Sequence, residues 1–294
     1  MKRLIIVAVS LFIVGTVLFV GAFAALDYDF SKLNTVKYTS NTYTPEGDFD
    51  KVYIKSNTAD VELLPSKDGR CKVVCQEKEA EPHKVRVENG TLRIEVSKAK
   101  WYNKISFFSI GEKISVYLPE AEYTSLTVIT DTGDISAPKA FAFDKAKLES
   151  DTGDISCAAL SESIVMKSDT GDIKLTADAG KIYIETNTGD ITLNGVLGKS
   201  LELESDTGDV LLKNSILEGK LEAETNTGDI EFDRFDAKEI FVETDTGDVE
   251  GSLLSDKIFL VKTDTGHIDV PESVSGDRCE IETDTGDVEI RIKK

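Results

Sequence analysis

Thr130-Asp131-Thr132-Gly133-Asp134-Ile135 opens a frame that returns eight more times, the last copy being Thr283-Asp284-Thr285-Gly286-Asp287-Val288. The glycines of the nine copies, Gly133, Gly153, Gly171, Gly189, Gly208, Gly228, Gly247, Gly266 and Gly286, are 20, 18, 18, 19, 20, 19, 19 and 20 residues apart. A period of about 19 residues held this long marks a repeat architecture. A tenth, imperfect copy stands upstream at Ser56-Asn57-Thr58-Ala59-Asp60-Val61, with Val52, Ile54 and Leu63 in the matching flanks.

The flanks alternate with period two. Leu201, Leu203 and Ser205 share one face of an extended chain, and Glu202, Glu204 and Asp206 share the other. Past the glycine the pattern resumes with Val210 and Leu212, and Ile182 with Ile184, Ile240 with Val242 and Phe259 with Val261 are equivalent pairs. These apolar sets are too short for helices, and Thr-Gly-Asp is turn chemistry. A unit of two short strands cannot bury its apolar face alone, so copies must stack. The expectation is an all-β β-solenoid, or β-helix, of about ten coils, with apolar ladders inside and Glu and Asp ladders outside.

Three segments follow. Residues 1–26 read as a membrane anchor or a signal peptide: Lys2 and Arg3 precede an uncharged run from Leu4 to Leu26, 23 residues long. As a helix it rises about 34 Å, enough to span a bilayer core of about 30 Å. The positive flank places the carboxyl-terminal domain outside the cytoplasm, in a single-pass membrane protein. Cleavage at Ala22-Phe23-Ala24, releasing a secreted domain, is the alternative. Residues 27–125 read as β-rich early coils and a cap, with strands at Val52 to Ser56, Lys72 to Gln76, Val85 to Glu88, Thr91 to Val96 and Lys113 to Leu118. The aromatic stretch from Trp101 to Phe108 reads as a lid over the end of the rod. Residues 126–294 are the repeat solenoid with its nine Thr-Gly-[Asp/His] turns.

Phe49-Asp50-Lys51-Val52-Tyr53-Ile54, Val61-Glu62-Leu63-Leu64-Pro65-Ser66, Ile114-Ser115-Val116-Tyr117-Leu118-Pro119, Leu126-Thr127-Val128 and the recurring Thr-Gly-Asp-Ile together carry a resemblance. Over residues 48 to 294 the chain resembles the bacterial putative-adhesin family of β-strand-repeat domains of unknown function. That resemblance implies a β-helical fold and a place in the cell envelope. It implies no catalytic or ligand-binding residue.

Composition narrows the function. Asp and Glu outnumber Lys and Arg 54 to 34, for a formal net charge of -20. Such a field repels phosphate backbones, so nucleic acid is not a partner. Of the four cysteines, Cys71 and Cys75 share a face about 13 Å apart, too far to bridge. Cys157 and Cys279 sit at inward positions six or more coils apart, so all four are expected as free thiols. Zinc would need a second cysteine pair or neighbouring histidines, and the chain has only His83 and His267.

Three readings of the repeat remain. A polysaccharide lyase or hydrolase needs carboxylates in unlike environments, whereas these recur from coil to coil, and the one break, His267 in Thr265-Gly266-His267-Ile268, is a weak base candidate beside Arg291-Ile292-Lys293. Cation binding draws on two stacked columns. One is Asp131, Asp151, Asp169, Asn187, Asp206, Asn226, Asp245, Asp264 and Asp284; the other is Asp134, Asp154, Asp172, Asp190, Asp209, Asp229, Asp248, His267 and Asp287. Asn in the first column favours turn capping, which Asp and Asn perform alike, and leaves weak divalent-cation binding as the alternative. The leading expectation is a non-enzymatic, membrane-anchored surface binding or scaffold module, adhesin-like, serving the envelope and its stress response, with an envelope protein or glycan as partner. The Glu column at Glu149, Glu185, Glu204, Glu224, Glu243 and Glu282, with Lys167 and Lys262, suits a basic protein or cationic peptide. No catalytic, cofactor-binding or metal-ligating residue and no cofactor is assigned.

Overall fold

The structure, a computed structural model, describes residues 12–17, 20, 21, 24, 37–97 and 111–293. Most of the expected span over 4–26, and all of the stretch from Trp101 to Phe108, lie outside the described residues. Residues 12–17 are helical, and among the described residues no helix is long and apolar enough to cross a membrane.

The rest is strand. The amino-terminal part holds β1 (Tyr38–Tyr43), β2 (Lys51–Lys55), β3 (Asp60–Pro65), β4 (Lys72–Lys78), β5 (His83–Glu88), β6 (Thr91–Val96) and β7 (Lys113–Leu118). Coils then follow as long-short pairs: β8 (Glu122–Thr130) with β9 (Ile135–Ala137), β10 (Ala142–Thr152) with β11 (Ile155–Cys157), β12 (Leu160–Thr170) with β13 (Ile173–Leu175), and β14 (Ala179–Thr188) with β15 (Ile191–Asn194). The series continues with β16 (Leu197–Thr207), β17 (Val210–Lys213), β18 (Ile216–Thr227), β19 (Ile230–Thr246) and β20 (Val249–Leu253). It closes with β21 (Lys257–Thr265), β22 (Ile268–Asp269), β23 (Asp277–Thr285) and β24 (Val288–Ile292).

Long strands pair in parallel along one sheet and short strands along a second, so each coil crosses from one to the other at its Thr-Gly-Asp turn. Alternation does the rest. Leu201, Leu203, Val210 and Leu212 are at most 1% exposed, and the same inward positions are buried in coil after coil. The cysteines are free, three buried and Cys71 half-buried. Burial pushes the Cys71 thiol up to about 12 and the Cys157 thiol up to about 11, so both stay protonated.

Eight turns run regularly from the β2–β3 coil to the β19–β20 coil, and the imperfect copy is the first of them. Asp131 N–H and Thr132 N–H donate to Asn57 O (3.0 and 2.9 Å), and Val61 N–H donates to Asp134 O (2.7 Å). The stacking order departs from chain order at both ends. At the amino-terminal end β2 lies between β6 and β8, and β3 lies between β7 and β9. At the other end β23 lies between β19 and β21, and β24 between β20 and β22. The last coil in sequence is therefore slipped beneath the one before it, which corrects the chain-order stacking expected from the repeat.

Lys257 explains how that order is held. Its side chain is 1% exposed, and Nζ donates to Ala237 O (2.7 Å) and Ser255 Oγ (2.9 Å) and pairs with Asp236 Oδ1 (2.6 Å). The outermost coil is thus fastened past the inserted one to β19. At the opposite end antiparallel strands close the rod: β4 pairs with β7 and β1, and β5 pairs with β6. The alternation in residues 27–125 does not announce β1, whose residues are half-buried at best.

Candidate binding surface

Each second-position Asp caps the coil that follows it. Asp134 N–H donates to Asp60 Oδ1 (3.1 Å), and Asp154 N–H donates to Asp134 Oδ1 (2.9 Å). The same bond recurs at 2.7 to 3.0 Å through Asp172, Asp190, Asp209, Asp229, Asp248 and Asp287. It ends where His267 N–H meets Asp287 Oδ1 (2.7 Å). His267 occupies the outermost coil, so no further amide needs a carboxylate there. Its position accounts for the one break in the column.

In the first column Asn226 Nδ2 donates to Asp206 Oδ1 (3.1 Å), an amide bonding to its carboxylate neighbour. Coil insertion reorders both columns: Asp284 lies between Asp245 and Asp264, and Asp287 between Asp248 and His267. Among the described residues neither column gathers three carboxylates closely enough to hold an ion.

On the outer face of the long-strand sheet, register places Glu149, Lys167, Glu185, Glu204, Glu224, Glu243, Glu282 and Lys262 in one line. Lys262 is at the end of that line, beyond Glu282, rather than inside it. Lys167 pairs with Glu185, and hydrogen bonds from Lys167 and Tyr183 hold the Glu185 carboxyl below its usual range. Lys262 Nζ reaches Glu282 at 2.5 Å. Between these pairs Glu204, Glu224 and Glu243 form an anionic run without an ion-pair partner among the described residues, Glu204 being hydrogen-bonded to Tyr183.

A groove follows the edge where each coil enters its long strand. Its exposed apolar side chains are Leu160, Leu197 and Ile216, which are 43, 55 and 44% exposed, with Leu197 directly opposite Ile216. Ala142, Ala179, Gly180 and Gly198 keep its floor low, and Glu122, Asp144, Glu162, Asp178 and Glu218 rim it, against a single Lys199. Asp178 Oδ1 accepts from Leu197 N–H (2.9 Å), which fixes that corner. Strand alternation could not flag these leucines and isoleucine, because they lie at coil corners where alternation lapses.

A separate polar group sits inside the amino-terminal end. Val73, Cys75 and Glu77 share the inward face of β4, and Glu77 is fully buried. Asn41 Nδ2 (2.6 Å) and Tyr43 Oη (2.9 Å) donate to Glu77 Oε1, and His83 N–H donates to Oε2 (2.5 Å). Burial raises the Glu77 pKa, but these bonds together outweigh it and hold the carboxyl below its ordinary value. The sequence signal was present: a Glu in the inward register of a strand is a polar residue where an apolar one belongs.

The sequence matches the family described as Toastrack DUF4097 over residues 49–234 and 162–294. No curated protein matches it in sequence. Among solved structures it is similar to a putative adhesin from Bacteroides fragilis, at 15% identity and a TM-score of 0.53, over 87% of this chain and 97% of that one. A putative adhesin from Parabacteroides distasonis is 15% identical with a TM-score of 0.46, over 87% and 98% of the two chains. A putative lipid binding protein from the same species is 15% identical with a TM-score of 0.32, over 88% and 98%.

Proposed function

The chain belongs to the Toastrack DUF4097 family, and from that premise we propose that it is a non-enzymatic, adhesin-like binding rod of the cell envelope. Its amino-terminal segment anchors it in the membrane, and the solenoid projects from the outer side, where it holds a basic, amphipathic segment of another envelope protein. The observation that carries this reading is the groove at Leu160, Leu197 and Ile216, an apolar stripe bordered by carboxylates. Charge complementarity selects a cationic partner, and the aliphatic stripe selects one with an apolar face. The exposed apolar side chains there are aliphatic, with Tyr123 and Phe143 buried in its wall, so a stacking platform for sugar rings is lacking in the groove. The non-enzymatic reading is supported by the repeat itself: the second-column Asp carboxylates share one job, capping, and lack the unlike environments an acid and base require.

Two measurements test the reading. Protease added to intact protoplasts is expected to degrade the solenoid, and full protection would reverse the topology. A fluorescent peptide of alternating Lys and Leu clusters, helical and amphipathic, is expected to bind the full chain. Leu197→Asn should weaken that binding by roughly tenfold. Absence of binding, or equal affinity in the variant, removes the groove from consideration.

A further inference from the structure

Cys75, Glu77 and His83 are 0, 0 and 3% exposed, and a sulfur, a carboxylate oxygen and an imidazole nitrogen from the three lie within 4.8 Å of one another. Sequence spacing hid this cluster, because the histidine comes from the next strand rather than from a second cysteine pair. We propose that Cys75, Glu77 and His83 are the ligands of a divalent transition-metal site, of the zinc type, that fastens the amino-terminal end of the rod.

The donor set is one that zinc takes: thiolate, imidazole and carboxylate, with a water in the fourth position of a three-ligand site. His83 Nδ1 stands 2.6 Å from Glu77 Oε2, with a proton between them. A metal in place of that proton, with bonds of about 2.0 Å, needs the two atoms about 3.3 Å apart, a shift that rotation of the imidazole and carboxylate supplies. His83 then carries its hydrogen on Nε2, which faces Ser56 Oγ at 3.5 Å. Asn41 and Tyr43 hold the other carboxylate oxygen, the kind of outer support that orients metal ligands.

Charge balance favours the ion. A bound dication releases the thiol proton to solvent, and thiolate plus carboxylate then cancel its two charges, leaving a neutral buried centre. The position gives the site its purpose. Among the described residues β1 pairs only with β4, on one sheet, and β5 only with β6, on the other. A metal joining β4 to β5, with β1 bonded to the same carboxylate, closes the rod across its two sheets.

The full chain, stripped of metal by a chelator and titrated with cobalt(II), tests this. The expected result is a near-ultraviolet thiolate-to-cobalt charge-transfer band that saturates at one ion per chain and is displaced by zinc. Cys75→Ser should abolish the band while keeping the far-ultraviolet strand spectrum, Cys71→Ser should leave it unchanged, and His83→Gln should weaken cobalt affinity by about tenfold or more. No charge-transfer band in the unsubstituted protein overturns the proposal, whatever the variants do. So does a band that survives Cys75→Ser. Neither outcome touches the groove, which is read with peptide and not with metal.

Discussion

Gly208→Ala destabilises the rod by at least about 3 kcal/mol, enough to consume a large part of an ordinary domain's stability. A Cβ on Gly208 would stand 2.1 Å from Gly189 O and 2.6 Å from Gly189 C, and the backbone there has φ +139. Both obstacles are main chain, so no rotamer change gives way. Relief requires the two coils to part, and three bonds cross that gap: Gly189 N–H to Thr207 O, Ile191 N–H to Asp209 O, and Asp209 N–H to Asp190 Oδ1, each 2.9 Å. At about 1 kcal/mol net apiece, their loss alone reaches the expected figure before strain is added. Gly195→Ala is the control. Its φ is +72 with nothing within 4 Å of the added carbon, so it loses about 1 to 2 kcal/mol, the left-handed penalty only. Urea unfolding of the two variants separates them, and equal midpoints would mean the coils are not in contact at their turns. Nature has run a related test at Ala59, which holds the glycine position of the lowest turn. The coil beneath it meets the turn through Glu112 O and Asp60 N–H (3.1 Å), with no Thr-Gly turn in its sequence, and there a methyl group is accommodated.

That contrast shows what a repeat discloses and what it conceals. The turn frame and the period-two flanks specify each coil's cross-section: Ile182, Ile184, Ile240 and Val242 are inward, as alternation requires. They do not specify which coil lies on which, because Thr263 to Val270 and Thr283 to Ile290 have nearly the same pattern and either would stack on β19 and β20. The discriminating residues are few. His267 lacks the carboxylate that a following coil needs, and Lys257 reaches from the outermost coil to a carbonyl and an Asp on β19. Phe259 and Val261 take the same inward register yet stay half-buried, since among the described residues no coil covers them. The groove and the Cys75–Glu77–His83 cluster were hidden for a different reason. Both are assembled by residues from neighbouring coils or strands, a contact that no single repeat contains.

The reordered stack also raises the electrostatic load on the second Asp column, and lowering it gives the other large effect. The column runs Asp60, Asp134, Asp154, Asp172, Asp190, Asp209, Asp229, Asp248 and Asp287 before His267, which makes eight Asp–Asp neighbour contacts. At a coil spacing of about 4.8 Å each contact repels by about 0.9 kcal/mol in water, or about 7 kcal/mol for the column before screening. Asp154→Asn, Asp190→Asn and Asp229→Asn together remove six of the eight contacts while every Oδ1 acceptor remains. With screening at physiological salt reducing the gain by about half, the triple variant should be more stable by about 2 to 3 kcal/mol. Its thermal midpoint should exceed that of the parent at low salt, and the gap should narrow as sodium chloride is added. A gap that ignores salt would mean the carboxylates do not repel along the rod, and a lower midpoint would mean the caps need their charge. The first column has already taken this course: Asn187 and Asn226 interrupt it, leaving only Asp131–Asp151, Asp151–Asp169, Asp245–Asp284 and Asp284–Asp264 as like-charged neighbours. What the second column retains and the first has relieved is a continuous line of negative charge. That line runs along the Thr-Gly-Asp turns, at the opposite end of the long strands from the groove, so the triple variant should gain stability while weakening only the overall negative field of the rod.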